Sequence, residues 1–203
     1  MEAGVDEAGR GPVIGPLVIA IVMWSNDEAK SIGVKDSKKL TRASRERLFN
    51  VIMSKAPCVK YIHADPQLID KYALRGLLNV LEAELISRLI GMCPGATRVY
   101  VDSPDPNPIR FRALINSGNV EVIAENHADE SIPLVSAASI VAKVVRDREI
   151  DRLKAIYGDF GSGYPSDPRT IRFLKERIEK GELPPIVRRS WATVKRLLNS
   201  RLA

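Results

Sequence analysis

The first 24 residues restrict the fold most strongly, because they consist of two apolar segments joined by a short glycine-rich connection. Residues 3–6 are predicted to form a strand that begins almost at the first residue, and residues 17–24 a second strand. Gly9, Gly11 and Gly15 turn the chain between them. Parallel strands need a long crossover, so this pair should be antiparallel.

The remainder of the chain alternates predicted strands with predicted helices. Thr41 is the expected N-cap of a helix through residue 52. Further strands are predicted at residues 59–63, 98–102 and 120–124, and further helices at 74–90, 109–116, 134–156, after Pro168 and after Ser190. This order of elements is typical of a mixed-sheet α/β domain.

Length and composition favour one soluble globular core. The chain has 203 residues, of which 45% are hydrophobic and 28% charged. No apolar run reaches the roughly 18–20 residues that span a bilayer, and no signal peptide is evident, so a cytoplasmic location without a membrane is expected. The net charge of +6 favours a polyanionic partner without identifying it.

The two cysteines, Cys58 and Cys93, lie far apart in the sequence and belong to no CxxC pair. This spacing supports neither a disulfide framework nor a structural zinc site. The sequence therefore predicts two packed, reduced thiols.

Two adjacent acids, Asp6 and Glu7, stand where the first strand gives way to glycine. Successive side chains of a regular strand point to opposite faces, so both acids can serve one site only if the strand breaks near Glu7. Gly9 and Gly11 would make that break easy. A break at Glu7 is therefore expected.

Two further acids could join this pair. Asp102 ends a predicted strand and Asp129 precedes a long helix, and ligands of α/β sheets tend to gather at strand ends. Four oxygen donors without a Cys or His cluster favour Mg²⁺ or Mn²⁺ and two-metal phosphodiester hydrolysis. The alternative is that each acid is a turn former or a helix cap, and spacing alone leaves both interpretations open.

Several sequence blocks together resemble type 2 ribonuclease H. The similarity covers nearly the whole chain. Almost no residues precede the first strand, and in this the chain most resembles the short archaeal form of the family. The blocks are GVDEAGRGP (4–12), GPLV (15–18), VKDSKKL (34–40), VDSP (101–104), HADE (127–130), VSAASIVAKVVRD (135–147) and GSGYPSD (161–167).

The resemblance implies an RNase H-like fold, with a five-stranded mixed sheet flanked by helices. It implies a catalytic domain at residues 1–160 and a smaller C-terminal helical part at 161–203. It also implies an endoribonuclease that uses Mg²⁺ or Mn²⁺ to cut the RNA strand of RNA–DNA hybrids, and duplex DNA 5′ of a single ribonucleotide, leaving 3′-hydroxyl and 5′-phosphate ends. The catalytic and metal-binding acids would be Asp6, Glu7, Asp102 and Asp129.

The resemblance also implies substrate-binding residues. A glycine–arginine–glycine turn would contact the ribonucleotide, a tyrosine the neighbouring deoxyribose, and two lysines the phosphates. A third lysine, at i+4 from Ser139, would support the acids or reach a phosphate, and the sequence does not decide between these roles. These residues are Gly9, Arg10, Gly11, Tyr164, Lys38, Lys39 and Lys143.

The basic segment at residues 188–196 permits two roles that are compatible. Its apolar residues, Trp191, Val194, Leu197 and Leu198, are spaced to pack a helix, while its basic face could meet DNA. Residues 199–203 lack the glutamine-plus-aromatic pattern of sliding-clamp ligands, so clamp binding is not expected. A monomer is expected.

Two alternatives to this enzyme remain, and the first belongs to a different functional class. One is a non-catalytic hybrid-binding protein on the same fold, which loss of an acid would indicate; none of the four is lost. The other is a DNA nuclease of the wider superfamily, such as a junction resolvase, which would cut DNA that contains no ribonucleotide.

Overall fold

A mixed sheet organises the first part of the protein. The computed structural model describes residues 1–34 and 40–200. In that part of the chain the strands are β1 (Glu2–Ala8), β2 (Leu17–Trp24), β3 (Cys58–Ala64), β4 (Arg98–Asp102) and β5 (Glu121–Glu125). They form one sheet in the order β3-β2-β1-β4-β5. β1 is antiparallel to β2 and parallel to β4, which is parallel to β5. The predicted mixed sheet and its antiparallel first pair are confirmed.

Helices occupy most of the connections. They are α1 (Asn26–Ser31), α2 (Arg42–Lys55), α3 (Pro66–Ala73), α4 (Leu78–Met92), α5 (Pro108–Leu114), α6 (Ala128–Ser131), α7 (Pro133–Tyr157), α8 (Pro168–Glu179) and α9 (Ala192–Asn199). Thr41 caps α2 as predicted, since its side chain accepts from the Ser44 N–H. The predicted helix start at residue 74 is wrong. Gly76, at φ 70°, lies in the turn between α3 and α4.

The described residues fall into two compact units, which are considered separately below. The sheet unit contains Met1–Ala8, Val18–His63 and Asn79–Val145. The C-terminal unit contains Gly9–Leu17, Ala64–Leu78 and the chain from Arg146 onward. The division at residue 160 into a catalytic domain and a C-terminal helical part stays a prediction. Among the described residues, no helix is long and apolar enough to cross a membrane.

One face of the sheet packs against α2 and α7. The even-numbered residues of β2, from Val18 to Trp24, belong to a buried cluster with Phe49 of α2 and Ala138 of α7. β1 approaches α7 so closely that a Cβ on Gly4 would lie 2.2 Å from the Leu134 carbonyl carbon. Only glycine fits there. Side chains at positions 4, 6 and 8 of β1 therefore share the face that meets α7.

The C-terminal unit has its own apolar cluster. Val13 and Ile14, from the connection between β1 and β2, pack with Phe160, Phe173 and Val194. Trp191, Leu197 and Leu198 pack against the same cluster, which confirms their predicted apolar role. The connection is therefore a packed part of this unit.

A disulfide joins Cys58 to Cys93, so the prediction of two reduced thiols is wrong. Cys58 begins β3, and Cys93 directly follows α4. The fold brings their Cα atoms to 5.9 Å although they are 35 residues apart. Sequence spacing carries no information about this approach.

Candidate active site and substrate-binding loop

Asp6 is a buried carboxylate on the sheet face that meets α7. Its side chain accepts a 2.7 Å hydrogen bond from the Glu7 N–H, and the residue is only 5% exposed. The pKa of Asp6 is raised to about 7, chiefly by burial and also by the nearby Asp102 carboxylate. Burial and a like charge both disfavour the ionised form. Asp6 therefore sits where a positive ligand would be stabilising.

Helix α7 supplies two groups that act in the opposite direction. Ser139 hydrogen-bonds to the Asp6 side chain, and Lys143 attracts it electrostatically; both lower the pKa of Asp6. The Lys143 Nζ also donates a 2.7 Å hydrogen bond to the Ser139 Oγ. Their shared helix face was predicted from the i,i+4 spacing. Lys143 is therefore close enough to Asp6 to favour its ionised form, and its role toward substrate stays a prediction.

Asp102 lies beside Asp6 because the two parallel strands are in register. Val5 pairs with Val101, and the acids follow these residues by one position. Asp102 Oδ1 accepts a 2.9 Å hydrogen bond from the Ala128 N–H, at the start of α6. This bond ties Asp102 to the residue that precedes Asp129.

Asp129 is 3% exposed and lies in the first turn of α6. Its backbone carbonyl accepts a hydrogen bond from the Ser136 hydroxyl. The preceding turn is held by Asn126, whose Nδ2 donates to the Ser103 carbonyl at 3.0 Å and to the Asp105 carbonyl at 2.8 Å. The turns that follow β4 and β5 are therefore bonded to each other.

Glu7 is the next residue of β1 after Asp6. β1 continues through Ala8, and its pairing with β2 is unbroken: Asp6 opposes Ala20 and Glu7 opposes Ile19. The predicted break at Glu7 is wrong, because the antiparallel pairing of β1 with β2 continues through Ala8. The chain leaves strand geometry only at Gly9, which has a φ of 90°. Strand alternation directs the Glu7 side chain to the face opposite Asp6.

The acids suit a hard divalent cation in donor type. Carboxylate oxygens are the ligands that Mg²⁺ and Mn²⁺ prefer, and a cation would offset the unfavourable burial of Asp6. Within residues 1–34 and 40–200, no three acidic, histidine or cysteine side chains already form a group able to hold a metal. Asp6, Asp102 and Asp129 are therefore suitable donors in type.

The Gly9–Arg10–Gly11 segment belongs to the C-terminal unit, where a buried arginine holds it. Arg188, predicted to belong to a basic face toward DNA, is fully buried. Its guanidinium donates to the carbonyls of Gly9 and Arg10 at 2.6 and 2.9 Å. The prediction for this side chain is wrong, because a buried cation needs fixed acceptors and the loop carbonyls supply them.

Tyr164 lies beside this loop. A Cβ on Gly11 would sit 3.6 Å from the Tyr164 Cε1, and Tyr164 is 42% exposed. The Arg146 guanidinium carbon lies 5.9 Å from the ring centroid, while its Nε donates to the Pro16 carbonyl. The structure thus brings together two residues predicted to bind substrate.

The sequence interpretation missed two residues of these sites, Ser139 and the buried Arg188. The spacing of Ser139 to Lys143 predicts only a shared helix face, and the contact of Ser139 with Asp6 becomes evident in the structure. For the burial of Arg188 there was no signal, because arginine is rarely buried. The predicted phosphate contacts Lys38 and Lys39 lie outside the described residues.

Comparison with known proteins agrees over almost the full length. Residues 3–194 match the family model described as ribonuclease HII. A ribonuclease HII of Caldivirga maquilingensis is 69% identical over 202 residues, covering 100% of this chain and 97% of that protein.

Solved structures give the same result. The ribonuclease H2 of Pyrococcus horikoshii superposes with a TM-score of 0.90 at 46% identity, covering 98% of this chain and 97% of that one. The ribonuclease HII in a PCNA complex from Archaeoglobus fulgidus gives 0.89 at 46% identity, covering 97% and 96%. The predicted RNase H-like fold is confirmed.

Proposed function

The chain belongs to the ribonuclease HII family of metal-dependent endoribonucleases, which act on RNA–DNA hybrids, and on this premise we propose its substrate and chemistry in finer detail. It cuts the RNA strand of hybrids and nicks duplex DNA on the 5′ side of a single embedded ribonucleotide. The observation that carries the proposal is the buried Asp6 carboxylate, placed beside Asp102 and facing Ser139 and Lys143.

The hydrolysis is assigned to the carboxylates of the sheet unit. Asp6, Glu7, Asp102 and Asp129 would hold Mg²⁺ or Mn²⁺ ions. When bound, two such ions would activate a water molecule and stabilise the charge on the leaving oxygen. The water oxygen would form a bond to phosphorus and give up a proton, while the bond from phosphorus to the 3′-oxygen would break. The 3′-oxygen takes up a proton, leaving a 3′-hydroxyl and a 5′-phosphate.

The residues around Asp6 keep it ready as a ligand. The Ser139 hydrogen bond and the Lys143 charge both favour its ionised form, against burial. Without them, Asp6 would more readily be protonated and could not bind a cation. The hydrogen bond from Ala128 to Asp102 orients a second carboxylate. Glu7 is the least supported of the four, since strand alternation turns it from Asp6.

Ribonucleotide recognition is assigned to the C-terminal unit. The loop Gly9–Arg10–Gly11 would contact the 2′-hydroxyl, the group that distinguishes RNA from DNA. Tyr164 would lie against the neighbouring deoxyribose, and its exposed face beside Gly11 supports this. Lys38 and Lys39 would contact phosphates, which hold a duplex without reading its sequence.

A substrate panel tests the proposal. Three labelled duplexes of equal length would be incubated with the protein in Mg²⁺ or Mn²⁺: one with a single ribonucleotide, one RNA–DNA hybrid and one of DNA alone. We expect the first to be nicked on its 5′ side, the hybrid to be cut at many positions and the DNA to stay intact. Cutting of the all-DNA duplex would instead favour a DNA nuclease of the wider superfamily. Binding of the hybrid without metal-dependent cutting would favour a non-catalytic protein.

A further inference from the structure

Four carbonyl groups of the loop between β1 and β2 accept hydrogen bonds from two side chains of the segment before α9. The Arg188 guanidinium donates from Nη2 to the Gly9 carbonyl at 2.6 Å and from Nη1 to the Arg10 carbonyl at 2.9 Å. Its Nε donates to the Gly15 carbonyl at 3.0 Å. Charge-assisted hydrogen bonds of this kind are stronger than neutral ones.

Trp191 completes the set. Its ring centroid lies 4.9 Å from the guanidinium carbon of Arg188, and its Nε1 donates a 3.1 Å hydrogen bond to the Gly11 carbonyl. The carbonyls of three consecutive residues, 9 to 11, are thus held by two side chains only three positions apart. We call Arg188 and Trp191 the loop clamp.

The loop clamp is itself anchored. The Asp70 carboxylate of α3 accepts from the N–H groups of Arg189 and Ser190 at 2.7 and 2.9 Å. The Arg188 backbone N–H donates to the Val13 carbonyl at 2.9 Å. The backbone and the side chain of Arg188 therefore both bind the loop between β1 and β2. The segment that carries Arg188 is also bonded to Asp70 of α3, so its position is fixed from two sides.

Holding these carbonyls fixes the direction of the adjoining N–H groups. In a planar trans peptide, the carbonyl of one residue and the N–H of the next point in opposite directions. With the Gly9 and Arg10 carbonyls directed at Arg188, the N–H groups of Arg10 and Gly11 point away from it. We propose that Arg188 and Trp191 are positioning residues, which set the peptide planes at 9–11 that select a ribonucleotide.

This inference rests on the proposed function, because it deepens the role given there to the loop. Its test uses the full chain with Trp191→Phe, which keeps an aromatic ring beside Arg188 and removes the Nε1 donor. Trp24→Phe is the matched control, since Trp24 is a buried tryptophan of β2 outside the loop clamp. Arg188→Lys is the second variant, because lysine cannot donate in the fork geometry of arginine.

The readout is the ratio of two affinities, measured in chelator with a duplex that carries one ribonucleotide and with the same duplex in DNA alone. One lost hydrogen bond weakens this ratio about 2- to 10-fold. We expect that fall for Trp191→Phe with its melting temperature nearly unchanged, a larger fall for Arg188→Lys, and a parental ratio for Trp24→Phe.

A parental ratio in Trp191→Phe overturns the positioning role, and this variant alone decides if Arg188→Lys does not fold. A merely structural role would lower the melting temperature and leave the ratio unchanged. If the parent protein itself binds both duplexes equally, the proposed recognition role of the loop fails. Selectivity in the parent that survives the Trp191 substitution contradicts only the present inference.

Discussion

The Lys143 ammonium group donates a 2.7 Å hydrogen bond to the Ser139 hydroxyl, which in turn hydrogen-bonds to the buried carboxylate of Asp6. Lysine, serine and aspartate thus form a short polar chain between α7 and β1. Burial raises the pKa of Asp6, and this chain opposes that effect. The balance decides how much of Asp6 is ionised near neutral pH.

Removal of either helix residue should therefore raise the pKa of Asp6 above its value of about 7. Ser139→Ala removes a hydrogen bond to the carboxylate, and Lys143→Met removes an attractive positive charge. Carboxyl carbon NMR titration of the metal-free protein measures the change directly. Lys60→Met, at an exposed position of β3, is the control and should leave the titration of Asp6 as it is in the parent. A titration of Asp6 that is unmoved in both α7 variants would contradict the polar chain.

The metal-free protein should lose stability as the pH rises. The pKa of Asp6 is about 7 in the folded chain and 3.8 as the model value, so the folded state binds the additional proton between these values. The stability that the protonated Asp6 carboxyl group gives to the folded state is fully present below pH 3.8 and is lost as the pH rises through about 7. Asp6→Asn should remove this dependence and raise the free energy of unfolding at pH 8, with about 4 kcal/mol as the upper bound that the shift in pKa sets.

Urea unfolding in chelator at pH 5 and pH 8 measures this difference. Other groups also titrate, so the comparison is between the pH dependence of the parent and that of Asp6→Asn. Equal pH dependence in the two proteins would show that the pKa of Asp6 is not raised in the folded protein. Added Mg²⁺ should reduce the advantage of the variant at pH 8, since the parent alone keeps the full ligand set.

The two glycines that flank Arg10 should respond differently to alanine. Gly9 has a φ of 90°, and a Cβ there would lie 2.1 Å from the Arg146 Nε and 2.6 Å from the Pro16 carbonyl oxygen. Gly9→Ala should therefore cost about 2–4 kcal/mol of unfolding free energy. In Gly11→Ala the new Cβ is in ordinary contact with Tyr164, at 3.6 Å.

Gly11→Ala should thus unfold within about 1 kcal/mol of the parent. It should still reduce cleavage at a single ribonucleotide, because the methyl group occupies the space between loop and ring. Thermal unfolding and cleavage rates of both variants provide the check. Full activity and selectivity in Gly11→Ala would exclude the loop surface beside Tyr164 as a ribose contact.

Local patterns predicted much of the fold. β2 and β4 have the predicted bounds, and α7 begins and ends one residue beyond the predicted helix, because strong strand patterns and a long apolar helix face leave few alternatives. The break at Glu7 failed for a physical reason: pairing with Ile19 keeps the strand regular, and tertiary pairing overrides a nearby glycine.

The candidate site was predicted less completely, since it depends on contacts between distant residues. Asp6 and Asp102 lie side by side because β1 and β4 pair in parallel. The sequence predicted a mixed sheet but not which strands are neighbours in it. The spacing of Ser139 to Lys143 predicts a shared helix face but not the contact of Ser139 with Asp6. Burial of Arg188 against the carbonyl of Gly9 joins positions 179 residues apart, and no local pattern encodes it. The Cys58–Cys93 disulfide belongs to the same class of long-range contact.

Loss of that disulfide should lower stability without affecting the chemistry. Cross-linking across a separation of 35 residues stabilises a folded chain by about 3–4 kcal/mol in the chain-entropy model. The double variant Cys58→Ser, Cys93→Ser should therefore have its unfolding midpoint at a lower urea concentration. It should cut a ribonucleotide-containing duplex at the parental rate at 25 °C. An unchanged unfolding midpoint would mean that the two cysteines are not joined in the protein.

The central claim is that the carboxylates beside β1 and β4 carry out metal-dependent hydrolysis. Its most direct test is Asp102→Asn, assayed on a duplex with one ribonucleotide in Mg²⁺, with Glu121→Gln as the control. This control makes the same acid-to-amide change on the same sheet. Glu121 begins β5, whereas Asp102 pairs with Glu125 at the end of β5. We expect Asp102→Asn to lose cleavage by at least about 100-fold and to keep its affinity for the duplex, and we expect Glu121→Gln to cut normally. Parental cleavage by Asp102→Asn would contradict the assigned active site.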